Sequence, residues 1–129
     1  MVQNILFVCT GNTCRSPMAA ALLRQLLKER NVELGRIKIS SAGLNASPGA
    51  PASPEAIEVM RGYGVDLATH LAREIEKEEL AAADLILTMT HAQKKQMLKV
   101  YPSLKDRVFV LREFLHGRDG TDSPHDDLP

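Results

Sequence analysis

The residues best placed to do chemistry lie near the start of the chain, where Cys9 is followed after five residues by Arg15 and then by Ser16. The intervening loop contains Gly11 and Asn12, which tolerate the positive φ angles of a tight loop. Successive backbone N–H groups in such a loop, leading into the N-terminus of a helix, form a binding site for a phosphate-like anion. Arg15 adds a planar guanidinium that can bind two phosphate oxygens at once.

Cys9 would face these donors, and a cysteine in such surroundings is expected to be a thiolate at neutral pH. A thiolate beneath a bound tetrahedral anion predicts covalent phosphoryl transfer. In the alternative interpretation, Cys9 is an ordinary core residue and Arg15 a solvated arginine. An apolar run before the loop and a Ser-Pro helix start after it favour the phosphate loop.

Two other kinds of site fit the sequence poorly. A nucleotide-binding Walker loop would end in Gly-Lys followed by Ser or Thr, and the segment after Cys9 does not. A structural zinc site needs about four ligands, whereas the 2 cysteines and 4 histidines of the chain lack a finger-like spacing. We therefore predict neither a metal nor a cofactor.

Length and charge restrict the remaining classes. A chain of 129 residues predicts one domain. Lysine plus arginine and aspartate plus glutamate each number 16, and the resulting net charge of zero argues against nucleic acid or a membrane surface as partners. The apolar run from Ile5 to Thr10 is too short to cross a bilayer or to act as a secretory signal. We therefore expect a cytoplasmic protein.

Short apolar runs alternate with segments of helical periodicity along the chain, which predicts parallel strands joined by helices. The expected class is α/β, with three layers: a four-stranded parallel sheet between helices on both faces. Ser16 is the expected N-cap of the first helix, with Pro17 at its first position. The predicted strands are 4–9, 37–41, 84–88 and 108–111, and the predicted helices are 17–29, 55–61, which Ser53 caps, 77–82 and 91–99.

The run Ile-Leu-Phe-Val-Cys-Thr-Gly-Asn-Thr-Cys-Arg-Ser-Pro-Met-Ala at 5–19 resembles the signature of low-molecular-weight protein tyrosine phosphatases. Weaker matches lie at 41–43, 64–73 and 83–90, so that the resemblance extends over 5–114. It implies a phosphatase acting on a phosphorylated protein, with Cys9 as nucleophile and a phosphocysteine intermediate. It also implies that the phosphoryl group is bound by Arg15 and by the loop residues Thr10, Gly11, Asn12, Thr13, Cys14 and Ser16.

The resemblance assigns further roles around the loop. Ser16 matches the family hydroxyl that hydrogen-bonds the thiolate. Ser41 and Asn12 match a network that holds the loop, and His70 matches a supporting histidine near it. Cys14 matches a second cysteine that forms a reversible disulfide with Cys9 in many members, which predicts redox regulation.

Thr13 bears on the substrate. Tyrosine-directed members usually carry an aliphatic residue there, whereas this version of the loop resembles the bacterial protein arginine phosphatases. A hydroxyl can hydrogen-bond a guanidino nitrogen or the attacking water, and a hydrocarbon cannot. The segment 44–46 also lacks the aromatic residue of tyrosine-directed members. Phosphoarginine is the favoured substrate, phosphotyrosine is the alternative, and a purely packing role for Thr13 stays open.

The end of the chain departs from the family. Residues 1–115 are predicted to form the phosphatase-like domain, and 116–129 are predicted to be an irregular tail, a shortened form of the loop that carries the general acid. That tail has no Asp-Pro dipeptide and no C-terminal helix after it, which predicts impaired activity and self-association through an uncovered apolar face. We keep a non-catalytic phosphate-binding or redox-sensing module as the alternative of another class. Arsenate reduction is disfavoured because no cysteine follows Cys14.

Overall fold

The computed structural model describes residues 2–30 and 36–115. The predicted tail at 116–129, with its acid loop and the helix expected to be missing, lies outside these residues. In chain order the elements are β1 (Asn4–Cys9), α1 (Arg15–Glu29), β2 (Lys38–Gly43), α2 (Pro54–Arg61), α3 (Lys77–Ala82), β3 (Leu85–Thr88), α4 (His91–Val100), a 3₁₀ turn (Pro102–Leu104), β4 (Val108–Val110) and α5 (Leu111–Leu115).

The four strands form one parallel sheet in the order β2-β1-β3-β4. Cys9, the last residue of β1, pairs with Gly43 at the end of β2. The chain runs from β1 to β2 on one side and then returns to β3 on the other side of β1. In open α/β sheets such a change of direction creates a crevice at the carboxyl end of the strands, where ligands bind. The topology therefore places Cys9 at the expected ligand site.

Alternate residues of β1 face opposite sides of the sheet, as the two-residue period of a strand requires. Leu6 and Val8 pack in one buried cluster with side chains of α3 and α4. Phe7 and Cys9 pack in another cluster with Ala20 of α1. Helices thus cover both faces of the sheet, and the predicted three-layer α/β class is confirmed.

Several boundaries differ from the sequence prediction by one or two residues; strand β2, for example, continues to Gly43 and does not end at residue 41. Helix α1 begins at Arg15, its N-cap position is Cys14, and no side chain caps it. The prediction of Ser16 as N-cap is wrong because the Ser16 hydroxyl is turned toward Cys9 inside the first helical turn. Strand β4 ends at Val110, and Leu111 begins a short helix that the sequence did not predict. By contrast, the cap at Ser53 is confirmed, since its side chain accepts the N–H of Ala56.

Candidate active site

The loop between β1 and α1 has its carbonyl groups bonded outward. Backbone N–H groups from the segments after β2 bind three of these oxygens, and a histidine ring binds a fourth. When the carbonyl oxygens of a loop are held by its surroundings, the N–H groups remain to line a concave anion site. The contacts are Leu44 N to Cys9 O and Asn45 N to Thr10 O, both at 2.9 Å, Ser53 N to Thr13 O at 2.8 Å, and His70 Nε2 to Asn12 O at 2.7 Å.

Asn12 holds the loop from inside. It is fully buried and adopts a positive φ of 56°, in the left-handed region where asparagine is among the tolerated residues. Its Nδ2 donates to Oγ of Ser16 at 2.9 Å and to Oγ of Ser41 at 3.0 Å, and its Oδ1 accepts the N–H of Arg73 at 3.0 Å. Gly11, from which we expected the same backbone freedom, does not have a positive φ.

Cys9, the residue from which this loop starts, is buried, with 6% of the residue exposed. Ser16 Oγ lies 2.8 Å from Cys9 Sγ, and the backbone N–H of Asn12 donates to the same sulfur at 3.3 Å. Because Asn12 Nδ2 already donates to Ser16 Oγ, the Ser16 hydroxyl can direct its own proton at the sulfur. Two donors converging on one sulfur are the arrangement that stabilises a thiolate.

His70 supports the loop backbone. A carbonyl oxygen can only accept, so the 2.7 Å contact between His70 Nε2 and Asn12 O requires the proton to be on Nε2. Three residues later, the backbone of Arg73 binds the Asn12 side chain. The Arg73 guanidinium forms an ion pair with Glu79 and so connects this segment to helix α3.

Of the predicted site residues, the structure brings Cys9, Asn12, Ser16, Ser41 and His70 into one hydrogen-bonded group. The other predicted site residues lie on the same loop or at the start of α1. Of these, Thr10 is exposed, while Gly11, Thr13, Cys14 and Arg15 are half-buried, and both cysteines are free thiols.

Sequence reasoning assigned no role to Arg73 or to Gln93, and both contact the loop. Gln93 Nε2 donates to Thr10 Oγ1 at 3.2 Å. A signal for Gln93 was present, because Thr90 and Gln93 have the spacing of a capping box. Nothing in the sequence indicated that its side chain would reach Thr10, 83 residues away.

Charged groups away from the loop fix the strands that carry it. The backbone N–H groups of Gln3 and Asn4 bind the Asp84 carboxylate and hold its pKa below the ordinary value. Partial burial lowers the pKa of Arg24, whose guanidinium donates to the carbonyl oxygen of Ile39 at 2.6 Å. Within residues 2–30 and 36–115, no three His, Cys, Asp or Glu side chains are grouped to hold a metal ion, and no helix is long and apolar enough to span a membrane.

A buried cysteine in an anion-binding loop at the carboxyl end of the first strand of a parallel sheet defines a class of α/β proteins built to bind phosphate over a sulfur nucleophile. Residues 4–127 match the family described as "Low molecular weight phosphotyrosine protein phosphatase". The chain belongs to this family.

Relatives in the family carry two kinds of name. The chain is 42% identical over 120 residues to the "Protein-arginine-phosphatase" of Geobacillus stearothermophilus. The aligned region covers 93% of this chain and 76% of the relative. It is 43% identical over 113 residues to the "Probable low molecular weight protein-tyrosine-phosphatase EpsP" of Ralstonia nicotianae, covering 88% and 73% respectively. Among solved structures, a cysteine-to-serine mutant of the YwlE arginine phosphatase "with phosphorylated active site serine" superposes with a TM-score of 0.83, at 35% identity, over 98% of this chain and 81% of that chain.

Proposed function

We propose that the protein is a cysteine-dependent phosphatase that hydrolyses phosphoarginine on proteins. The observation that carries this proposal is the pair of hydrogen bonds, from Ser16 and from the Asn12 backbone, on the buried sulfur of Cys9. A sulfur held in this way at the base of an anion-binding loop lies beneath the phosphorus of a bound phosphoryl group. A phosphorylated protein side chain is the matching substrate, as in the relatives named protein phosphatases.

The reaction has two steps. In the first, the Cys9 thiolate attacks phosphorus, the P–N bond of phosphoarginine breaks, and the leaving guanidino nitrogen takes a proton from water. In the second, water attacks the phosphocysteine, releases inorganic phosphate and restores the thiolate. The phosphorylated active-site serine in the YwlE mutant supports a covalent phosphoenzyme in the first step.

The loop residues have separate roles in these steps. Arg15 and the backbone N–H groups from Thr10 to Ser16 stabilise the equatorial oxygens of the transferring group. Ser16 hydrogen-bonds the sulfur when it leaves phosphorus in the second step. Asn12, Ser41 and His70 keep the loop in its anion-binding conformation. Residues 116–129, where the general acid was expected, lie outside the described residues.

Thr13 supports phosphoarginine over phosphotyrosine. Its carbonyl oxygen accepts the N–H of Ser53, which fixes the backbone, and the residue is half-buried. A hydroxyl beside the bound phosphoryl group can hydrogen-bond a guanidino group, whose N–H groups need acceptors. Two relatives named "Protein-arginine-phosphatase" agree with this assignment. Relatives named tyrosine phosphatases make phosphotyrosine the second substrate to test.

Cys14 is proposed as a redox partner of Cys9. Both are free thiols here, and Cys14 is half-buried at the N-cap of α1. A disulfide between them would block the nucleophile reversibly and protect it from oxidation to irreversible acids. After treatment with hydrogen peroxide, dithiothreitol should therefore restore the activity of the parent. The same treatment should inactivate Cys14→Ser irreversibly.

The proposed setting is the cytoplasm, with no nucleic-acid or membrane partner, which the net charge of zero supports. Self-association is proposed through one apolar groove beside α1. Leu26, Val59, Phe114 and Leu115 line this groove and are 49%, 53%, 42% and 69% exposed. Sedimentation velocity over a range of protein concentrations tests this, and a monomer at every concentration contradicts it.

The central test is release of phosphate from a protein carrying phosphoarginine, with p-nitrophenyl phosphate as a second substrate. The parent should turn over both, Cys9→Ser should turn over neither, and Cys14→Ser should retain turnover as the matched thiol control. If the parent binds phosphate but hydrolyses both substrates no faster than Cys9→Ser, the protein is a phosphate-binding module and the enzymatic proposal is wrong.

A further inference from the structure

Gln93 connects helix α4 to the phosphate loop. It is the third residue of α4 and is 7% exposed. Its Oε1 accepts the backbone N–H groups of Met89 at 2.9 Å and Thr90 at 3.1 Å, and its Nε2 donates to Thr10 Oγ1 at 3.2 Å. One buried side chain therefore caps the N-terminus of a helix and contacts Thr10, the residue that follows Cys9.

The chemistry of the amide fixes its orientation. Only the oxygen can accept the two backbone N–H groups, so the NH₂ group must face Thr10. Thr10 Oγ1 is consequently the acceptor in this contact. A hydroxyl that accepts from one neighbour still has its own proton to donate, and that proton is directed away from Gln93.

A glutamate would close the helix equally well. Glu and Gln are interchangeable at the third position of a capping box, because both supply the oxygen that accepts the N-cap N–H. Only Gln adds a donor for Thr10. The contact with Thr10 is therefore made by the NH₂ group, the part of the side chain that the capping box does not use.

We propose that Gln93 is a positioning residue that orients the exposed Thr10 hydroxyl as a hydrogen-bond donor to a phosphoryl oxygen bound above Cys9. The Thr10 backbone is already fixed, since its carbonyl oxygen accepts the N–H of Asn45. What Gln93 adds is the direction of the hydroxyl proton. This inference deepens the proposed function, on which it rests for the anion bound by the loop.

The test measures the dissociation constant of inorganic phosphate by isothermal titration calorimetry on the full chain. Gln93→Glu keeps the capping oxygen but turns the Thr10 hydroxyl toward itself, so phosphate affinity should fall about tenfold, the value of one hydrogen bond to a charged group. The capping oxygen remains, but a carboxylate at a position that is 7% exposed costs stability, so phosphate affinities are compared at a temperature where each variant is folded. Thr10→Val should lose about as much affinity, and Thr10→Ser should keep the parent's affinity.

The double variant separates the hydroxyl from a simple charge effect. In the Thr10→Val background, Gln93→Glu should change phosphate affinity by about twofold or less, because the two residues act through one interaction. Equal losses in both backgrounds would mean that the new carboxylate repels the anion directly, and the inference would be overturned. It is overturned as well if Gln93→Glu loses no affinity, or if the parent binds no phosphate.

An uncharged variant extends the test to the case in which Gln93→Glu does not fold. Gln93→Met removes the donor without adding charge, and its loss of phosphate affinity should likewise vanish in the Thr10→Val background. The readout is independent of turnover. A parent that binds phosphate with this pattern but hydrolyses no substrate would contradict the proposed function and leave the role of Gln93 intact.

Discussion

Gly43 approaches Thr10 so closely that a β-carbon on Gly43 would lie 2.6 Å from the Thr10 carbonyl oxygen. The approach follows from the sheet, because Cys9 pairs with Gly43 and the pairing continues as Leu44 N to Cys9 O and Asn45 N to Thr10 O. The end of β2 therefore forms the wall against which the phosphate loop is shaped. Only glycine leaves room for that wall.

Gly43→Ala should consequently disturb the loop itself. The added methyl group must push the Thr10 backbone outward, and we expect the free energy of unfolding to fall by about 1–3 kcal/mol, with loss of phosphate affinity. Urea denaturation and phosphate titration measure the two effects. Gly49→Ala is the control, because its β-carbon would meet nothing within 4 Å, although its φ of +86° also strains alanine. Phosphate affinity that is equal in the two variants would contradict the proposed contact.

Ser16→Ala should slow the second chemical step. The hydroxyl is 2.8 Å from Cys9 Sγ, and losing a hydrogen bond to a charged group should lower kcat by about 10- to 100-fold. Because breakdown of the phosphocysteine requires the sulfur to leave, rapid mixing with p-nitrophenyl phosphate should show a larger burst of p-nitrophenol before the slow phase. Ser103→Ala, at an exposed serine, is the matched control. An unchanged kcat in Ser16→Ala would remove the proposed role.

Local signals predicted most elements, and longer-range contacts account for the differences. The ends of β1 and α3 and the cap at Ser53 depend on residues adjacent in the sequence, and the structure has them as predicted. Ser16 looks like a cap in the same local terms, but its hydroxyl is taken by Cys9 and Asn12. The contact of Gln93 with Thr10 exists only because β1 and β3 are neighbours in the sheet.

Asn12 should be the residue of the loop most sensitive to substitution for stability. Asn12→Ala removes the buried amide that serves Ser16, Ser41 and Arg73, and we expect unfolding free energy to fall by about 3 kcal/mol. Asn12→Gly removes the same contacts but tolerates the positive φ, so it should be about 1 kcal/mol more stable than the alanine variant. Urea denaturation of both compares them directly. If alanine and glycine are equal, the backbone contribution is absent.

Thr13 should decide the substrate. Thr13→Ile removes the hydroxyl while keeping a β-branched shape, and the ratio of kcat/KM for phosphoarginine to that for phosphotyrosine should fall about tenfold or more. Thr13→Ser keeps the hydroxyl and should keep the ratio. Parallel assays on one protein substrate, phosphorylated on arginine or on tyrosine, measure this preference. A ratio that does not change in Thr13→Ile would contradict the assignment of phosphoarginine through this residue.

Asp84 should make the stability of the sheet depend on pH. Its Oδ2 accepts the N–H groups of Gln3 at 2.8 Å and Asn4 at 2.9 Å, which lowers the pKa of the carboxyl in the folded state. The pKa of an aspartate in an unfolded chain is about 3.9, so this stabilisation is fully present above that pH. It is lost as the pH falls through the lower folded value. We therefore expect the urea midpoints of the parent and of Asp84→Asn to differ at pH 7 and to converge in acid. Asp106→Asn, at an exposed aspartate, controls for the removal of one negative charge. The contradicting result is a difference in urea midpoint between the parent and Asp84→Asn that stays constant from neutral pH into acid. It would show that the carboxylate does not bind these two N–H groups more strongly than an amide does.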